Sequence, residues 1–458
     1  MPDNDLVVVL PGITGSTLTR QGTPIWAPSA GAILRAIGTL GRNLNRLQLP
    51  DGIGDEHPDD GVEPGVLMPD LHVIPGLWTP IRGYTSLLTR LRALGYHEDH
   101  GNLLPIAYDW RLSNRYNARR LATLVEPTLE RWRAASPDNR DARLVFIGHS
   151  MGGLLARWYI EHQGGAEITR KLITLGTPYR GAAKALLPLV NGVRKDVGPL
   201  AVDLTAFARS MPSLHQLLPT YACIDQPGGL ATLTETTLPE LDTTMTTDAQ
   251  AFHHGLACAE SARPASLAMT HAIIGARQTT VSTIHIIDGR AEPLDTIDGD
   301  NDYGDGTVPL AGAIGHDLPM DTNTVRRIID HHGSIQANPY VLDEVEEILT
   351  TIPIRRRAPA TVPVQLTAPD IVLVGDQVPI TAQLPPGARE AIQITIVNEH
   401  ERLVFSRRPS STGGIFHTSA PALPPGGYEI RVTGIRPGSP VTPVTIPILV
   451  WDPTSVNA

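Results

Sequence analysis

Apolar residues in this chain gather in short runs closed by turn residues. Leu6–Leu10 reads LVVVL and stops at Pro11-Gly12, a β-branched run too short for a helix and ended by strong chain punctuation. Runs of the same kind occupy Leu103–Tyr108, Leu144–Ile147, Lys171–Leu175, His271–Gly275 and Thr324–Ile329. Between several of them lie helical patterns, over Tyr84–Ala93, Asn117–Ala134 and Leu154–His162. Strands that alternate with helices predict an α/β fold, a mainly parallel sheet covered on both faces.

The pattern changes after Ile354. RRRAPATVPVQ, 355–365, reads as a linker, and from 366 to 458 short strands follow one another with turn residues between them. Helical period is absent there, which predicts a small antiparallel, immunoglobulin-like sandwich of about 100 residues. The expected domains are therefore 1–354 and 366–458. A chain of 458 residues is long enough for two cores.

Composition changes this picture little, but charge narrows the partners. A formal net charge of −10 argues against nucleic acid, which needs a basic face. The opening MPDNDLVVVLPG has no basic leader, and no stretch approaches the roughly 20 apolar residues of a membrane span. A cytoplasmic location is expected. Cys223 and Cys258, the only cysteines, are too few for a disulfide framework and are expected as buried free thiols.

Chemistry enters at residues 148–152, GHSMG, placed after one apolar run and before a helical pattern. A nucleophilic serine on a strand-to-helix turn needs glycines to clear the strained backbone, and the new helix aims its first amides at the same point. A serine that only caps the helix fits the same turn. Serine attacks only when a base takes its proton, so a carboxylate and a histidine should follow, in that order. Asp305 in YGDGTVPL and His332 in IIDHHGSI are the candidates beside Ser150. Asp298, Asp300 and Asp302 are rivals to Asp305. His331 is the rival of His332; neighbours on a strand face opposite ways, and His332 stands at the turn before Gly333. The backbone amides of Met151 and of Ile13, in LPGITGS, are the candidate donors to an oxyanion.

No cofactor and no metal is expected. A calcium loop starting at Asp298 would put Tyr303 where glycine is needed and Pro309 where a bidentate glutamate belongs. His253 and His254 lack metal-ligand spacing and are expected in solvent.

Taken together, PGITGS (11–16), YDWRLS (108–113), GHSMGG (148–153), LGTPYRG (175–181), ARSMPSLHQLLP (208–219), GDGTVPL (304–310) and the closing histidine resemble the lecithin:cholesterol acyltransferase family of the α/β-hydrolases. The resemblance spans roughly residues 5–350. It implies the α/β-hydrolase fold, a Ser150–Asp305–His332 triad, an oxyanion hole at Ile13 and Met151, and a cap inserted at about 182–270. YDWR would lie beside the site, with Asp109 and Arg111 read as a structural ion pair. The implied activity is lipid acyl hydrolysis or O-acyl transfer on a glycerolipid or related ester, through an acyl-serine. A soluble carboxylesterase or thioesterase is the alternative within enzymology, and a non-catalytic binding protein is the alternative outside it.

Residues 31–49 carry apolar positions at helical spacing with arginines mainly off the stripe. Peripheral membrane contact is one reading, and packing on the protein's own core is the other. The β-domain is expected to bind another protein or a glycan. A chain ended near Ile354 is expected to keep activity, because the triad precedes the linker.

Overall fold

The computed structural model describes residues 4–27, 47–69, 80–197, 200–264, 269–315, 324–350, 362–436 and 438–452. Six strands form its central sheet: β1 (Leu6–Leu10), β2 (Leu103–Pro105), β3 (Leu144–His149), β4 (Thr169–Leu175), β5 (Met269–Ala276) and β6 (Val325–Ile329). They lie in the order β6-β5-β4-β3-β1-β2, and every pair is parallel. The helices that position the site are α1 (Thr85–Ala93), α2 (Asn114–Ala135), α3 (Met151–His162), α4 (Thr243–Ala262) and α5 (Pro339–Thr350).

Alternation along β1 feeds two layers. Leu6, Val8 and Leu10 pack with Leu121, Val125 and Leu129 of α2 and with Leu154 and Leu155 of α3. Val7 and Val9 pack with Leu87 and Leu91 of α1 and Val341 and Val345 of α5. Both faces of the sheet are thus buried, which is why its strands read as unbroken apolar runs.

Element ends differ from the sequence reading for local reasons. β2 stops at Pro105 instead of Tyr108, since proline gives no ladder donor, and it sits at the sheet's edge. α2 begins earlier, at Asn114, because Ser113 Oγ accepts from Arg115 N at 3.1 Å and caps it. Between β4 and β5, where the cap was expected, lie short helices Leu186–Asn191, Thr205–Arg209 and Pro212–His215, followed by α4.

The C-terminal region holds β7 (Gln365–Thr367), β8 (Ile371–Leu373), β9 (Val378–Gln383), β10 (Ile392–Asn398), β11 (Leu403–Arg407), β12 (Ser411–Thr412), β13 (Ile415–Ala420), β14 (Gly426–Gly434) and β15 (Val444–Trp451). They form two sheets, β7-β9-β13-β12 and β8-β15-β14-β10-β11, antiparallel except for β8 against β15. Ile392, Ile394 and Ile396 of β10 face a core shared with Ile380, Ile430 and Ile448. This core begins before 366: Val364 is fully buried in it. It also meets the α/β part. Leu449 and Trp451 belong to the large core around α2 and α3, and Ile329 of β6 packs on the sandwich core.

Among the described residues no helix is long and apolar enough to cross a membrane. Most of the 31–49 segment, residues 31–46, lies outside the described residues; Leu47 is buried in the large core. Both cysteines are free, but only Cys223 is buried. Cys258 is exposed on α4, its Sγ 3.5 Å from His254 Nε2. His253 and His254 are also helical, so they do not alternate as strand neighbours. His253 is buried against Gln216 O at 2.8 Å, and His254 is exposed.

Candidate active site

β3 ends at His149 and α3 begins at Met151, leaving Ser150 alone to make the turn. Its backbone is at φ 52° and ψ −124°, a region that costs a residue with a side chain on the order of 1–3 kcal/mol. Neighbouring elements approach so closely that only glycine fits around it. A Cβ at Gly152 would lie 2.4 Å from Pro11 O, and one at Gly153 would lie 2.0 Å from Thr177 Oγ1. The turn is pinned by Ser150 N donating to Leu175 O and by Thr177 Oγ1 donating to Ser150 O, each at 2.9 Å. Ser150 makes no side-chain cap to α3, so the hydroxyl is left for another partner.

That partner is His332, whose Nε2 lies 2.9 Å from Ser150 Oγ. On the other side of the ring, Nδ1 lies 2.8 Å from Asp305 Oδ2. The second carboxylate oxygen accepts from Thr307 N at 3.0 Å and Val308 N at 2.7 Å, fixing the acid in its loop. His332 N donates to Asp305 O at 2.7 Å. Gly176, at φ 59°, leaves the room this contact needs: a Cβ there would sit 3.1 Å from Asp305 Oδ2 and 3.2 Å from His332 Nδ1. Ser150, Asp305 and His332 are each no more than 1% exposed.

The rivals stand elsewhere. Asp298 and Asp300 are exposed beside a hairpin turn, and Asp302 Oδ2 accepts from Ala311 N at 2.7 Å at the start of helix Leu310–Ala313. His331 packs on Gly306, where a Cβ would lie 3.0 Å from its Nδ1, and burial pushes its pKa down to about 4. The alternation argument that separated the two histidines does not apply, because β6 ends at Ile329 and both lie in the following turn.

The loop 11–13 runs against the serine: a Cβ at Gly12 would lie 3.0 Å from Ser150 Cβ. Gly12 N donates to Tyr84 Oη at 2.8 Å. Ile13 N and Met151 N have no hydrogen-bond acceptor among the described residues, as is usual for amides at loop bends and at the first turn of a helix. Tyr84 was not expected from the sequence, and neither was His149. His332 O, 3.2 Å from His149 Nε2, can only accept, so neutral His149 carries its hydrogen on Nε2, and its Nδ1 accepts the proton of Tyr84 Oη, 2.8 Å away. One buried chain of polar groups therefore joins the loop after β1, the elbow and the histidine loop. No local pattern marks Tyr84, 65 residues before its partner; His149 stood inside the motif as its variable position.

Arg111 is fully buried and is engaged by Asp109 Oδ2 at 2.6 Å, Asp60 Oδ2 at 2.8 Å and Leu47 O at 3.0 Å. Its structural reading agrees with these contacts.

A parallel sheet with a serine elbow at the C-terminal end of a central strand is the architecture of an α/β-hydrolase. Within that class, residues 78–254 match the family model Lecithin:cholesterol acyltransferase, the family that the sequence motifs resemble. No curated protein matches the chain. Among solved structures, the mature form of the Bacillus licheniformis lipase BlEst2 is similar at 13% identity, covering 76% of this chain and 94% of its own, with a TM-score of 0.33. CopC from Methylosinus trichosporium OB3b is similar to a smaller part, 20% of this chain and 93% of its own, at 15% identity and a TM-score of 0.17.

Proposed function

We propose that this protein is a serine-dependent lipid acyl hydrolase that also transfers acyl groups, acting through an acyl-serine intermediate. The observation that carries the reading is the buried hydrogen-bonded chain Ser150 Oγ–His332 Nε2 and His332 Nδ1–Asp305 Oδ2. The family match supports a lipid ester as substrate. His332 takes the Ser150 proton as Oγ attacks the ester carbonyl, and Asp305 stabilises the resulting imidazolium. The amides of Ile13 and Met151 receive the oxyanion. Collapse of the adduct breaks the ester bond and returns the proton to the leaving alcohol. Water or an acceptor alcohol, deprotonated by the same histidine, then frees the acyl group.

The cap bears on which acceptor wins. Its 232–248 stretch exposes Thr234, Thr237, Thr243 and Thr244, a wet surface unsuited to excluding water. Hydrolysis is therefore the main outcome and transfer the secondary one. The test is product analysis on phosphatidylcholine vesicles containing a sterol or a diacylglycerol, with Ser150→Ala as the blank. Free fatty acid as the dominant product supports the reading, and mostly sterol ester or triacylglycerol overturns the order. Short esters cleaved with no release from vesicles point to the soluble esterase. Undiminished fluorophosphonate labelling of Ser150→Ala removes the serine assignment. We further propose that the α/β part and the sandwich are separate domains of one enzyme.

A further inference from the structure

Two open stretches of sandwich strand, one on the edge strand β7 and one on β15 beyond its short partner β8, are completed by side chains of the α/β part. On β15, residues 449–451 pair with β8, but Thr445 lies beyond that pairing. Its N–H donates to Asp330 Oδ1 at 3.2 Å, and its carbonyl accepts from Ser334 Oγ at 2.9 Å. At β7, Leu366 N donates to Gln278 Oε1 at 3.1 Å while Gln278 Nε2 donates to Val364 O at 2.9 Å. This one side-chain amide makes the pair of bonds that a neighbouring strand would make.

These anchors adjoin the two triad loops. Asp330 and Ser334 each stand two residues from His332, and Asp330 also accepts from His331 N at 2.9 Å and Asn338 Nδ2 at 2.7 Å. Gln278 exchanges backbone bonds with Gly304, the residue before Asp305, at 2.9 and 3.0 Å. Gly333 lies where a Cβ would be 2.0 Å from Pro80 O and 3.2 Å from Pro447 Cγ, so the histidine loop has no slack there. Gln278, Asp330 and Ser334 are at most 1% exposed, and buried polar groups of this kind are costly to leave unpaired.

We propose that the sandwich is a positioning element of the active site: Thr445 through Asp330 and Ser334, and Val364 and Leu366 through Gln278, fix the two loops whose spacing sets the His332–Asp305 contact. The proposal rests on the hydrolase reading above. His332 and Asp305 lie in different loops, joined directly by His332 N and Asp305 O, and the sandwich braces both loops around their 2.8 Å side-chain bond. Gln278, Asp330 and Ser334 act through the triad and are positioning residues.

The test uses the full chain with Gln278→Ala and Ser334→Ala, and Arg82→Ala as control. Arg82 bonds Glu429 across the same interface at 2.6 Å but holds neither triad loop through its side chain. Three readouts are taken below the melting transition: kcat and KM on a soluble p-nitrophenyl ester, the fluorophosphonate labelling rate, and the low-field proton resonance of His332 Nδ1–H. The expected result for Gln278→Ala and Ser334→Ala is a kcat lower by about tenfold or more with KM nearly unchanged, the scale of a loss of alignment, and a resonance broadened or lost. Arg82→Ala lowers the melting temperature and leaves kcat and the resonance as they were. If the two alanine variants melt lower but keep kcat and the resonance, the contacts are merely structural and the proposal falls. It falls equally if Arg82→Ala reduces kcat as much as they do. Should Gln278→Ala not fold, Gln278→Glu takes its place, keeping the acceptor for Leu366 and setting an oxygen against the Val364 carbonyl. A wild-type protein that fluorophosphonate does not label, with a resonance that the variants lose, overturns the hydrolase reading and sustains the positioning. A labelled wild type with variants labelled as fast does the reverse.

Discussion

Ser150 holds a backbone conformation that glycine adopts with less strain, at φ 52° and ψ −124°. Ser150→Ala and Ser150→Gly both remove the nucleophile, yet only glycine relieves the strain. Ser150→Gly should therefore melt above Ser150→Ala, the gap reflecting strain on the order of 1–3 kcal/mol less the extra chain entropy of glycine. Thermal unfolding of the two variants checks this, and equal melting points would mean that the turn relaxes around alanine. Asp305→Asn should lower turnover strongly and Asp302→Asn mildly, since only the former bonds His332. The same comparison holds for His332→Ala against His331→Ala. Steady-state rates on a soluble ester decide both pairs. These side chains were legible because serine chemistry demands a residue of each type in a known order. Tyr84, His149, Asp330 and Gln278 were not legible, because what they do is created by distant backbone groups: Gly12 N, His332 O, Thr445 N and Leu366 N.

Among the elements, α2 contains a proline inside its span. Pro127 is exposed and has no N–H to give to Thr123 O, one turn earlier in Asn114–Ala135. An interior proline costs a helix about 3 kcal/mol. Pro127→Ala should raise stability by about 1–3 kcal/mol, read as a higher urea midpoint at unchanged slope, with activity unaffected. No change would mean that the helix already bends to absorb the ring. Strands buried on both faces were the most legible elements, since β1 and β3 have no polar alternation to confuse their runs. Ends were less so, because Ser113 acts through a single hydrogen bond and Pro105 through a missing donor, and periodicity carries neither. The sandwich strands were visible as short runs between turn residues, but their docking on the α/β part was not, because Gln278 and Asp330 look like ordinary loop residues in the chain.

At the scale of the whole molecule, acid should unfold the protein. Burial holds His253, His271 and His331 near a pKa of about 4, below the ordinary 6.5 that each regains on unfolding. The unfolded chain thus binds more protons between those values, and stability falls as pH drops from about 6.5 towards 4. Asp330, raised by burial to about 6, and Glu161, raised by burial to about 7, work in the opposite sense, two acids against three histidines. The urea midpoint should therefore decrease between about pH 6 and pH 4.5, where the three histidines outweigh the two acids. His271→Leu should lessen the slope, as His271 is buried and its Nε2 has no hydrogen-bond partner among the described residues. An unchanged slope would mean that His271 titrates normally. The packing also replaces one expectation drawn from the sequence. A chain ended at Thr350 uncovers the patch that Leu449 and Trp451 fill and leaves Gln278 and Asp330 without their sandwich partners. Such a chain should be insoluble, or soluble and unlabelled by fluorophosphonate. A monodisperse, labelled product on gel filtration would restore the simpler picture of an independent hydrolase.

Thr445 lies more than 100 residues after His332, its bond to Asp330 closing a separation of 115 residues. A ribosome delivers these parts in sequence, and domains fold as they emerge. The triad residues are outside the tunnel well before the strand that steadies them has been made. On the positioning proposed above, the nascent chain in that interval carries Ser150, Asp305 and His332 without the support that aligns them. If the sandwich positions the site as proposed, ester cleavage becomes competent only when translation has passed β15.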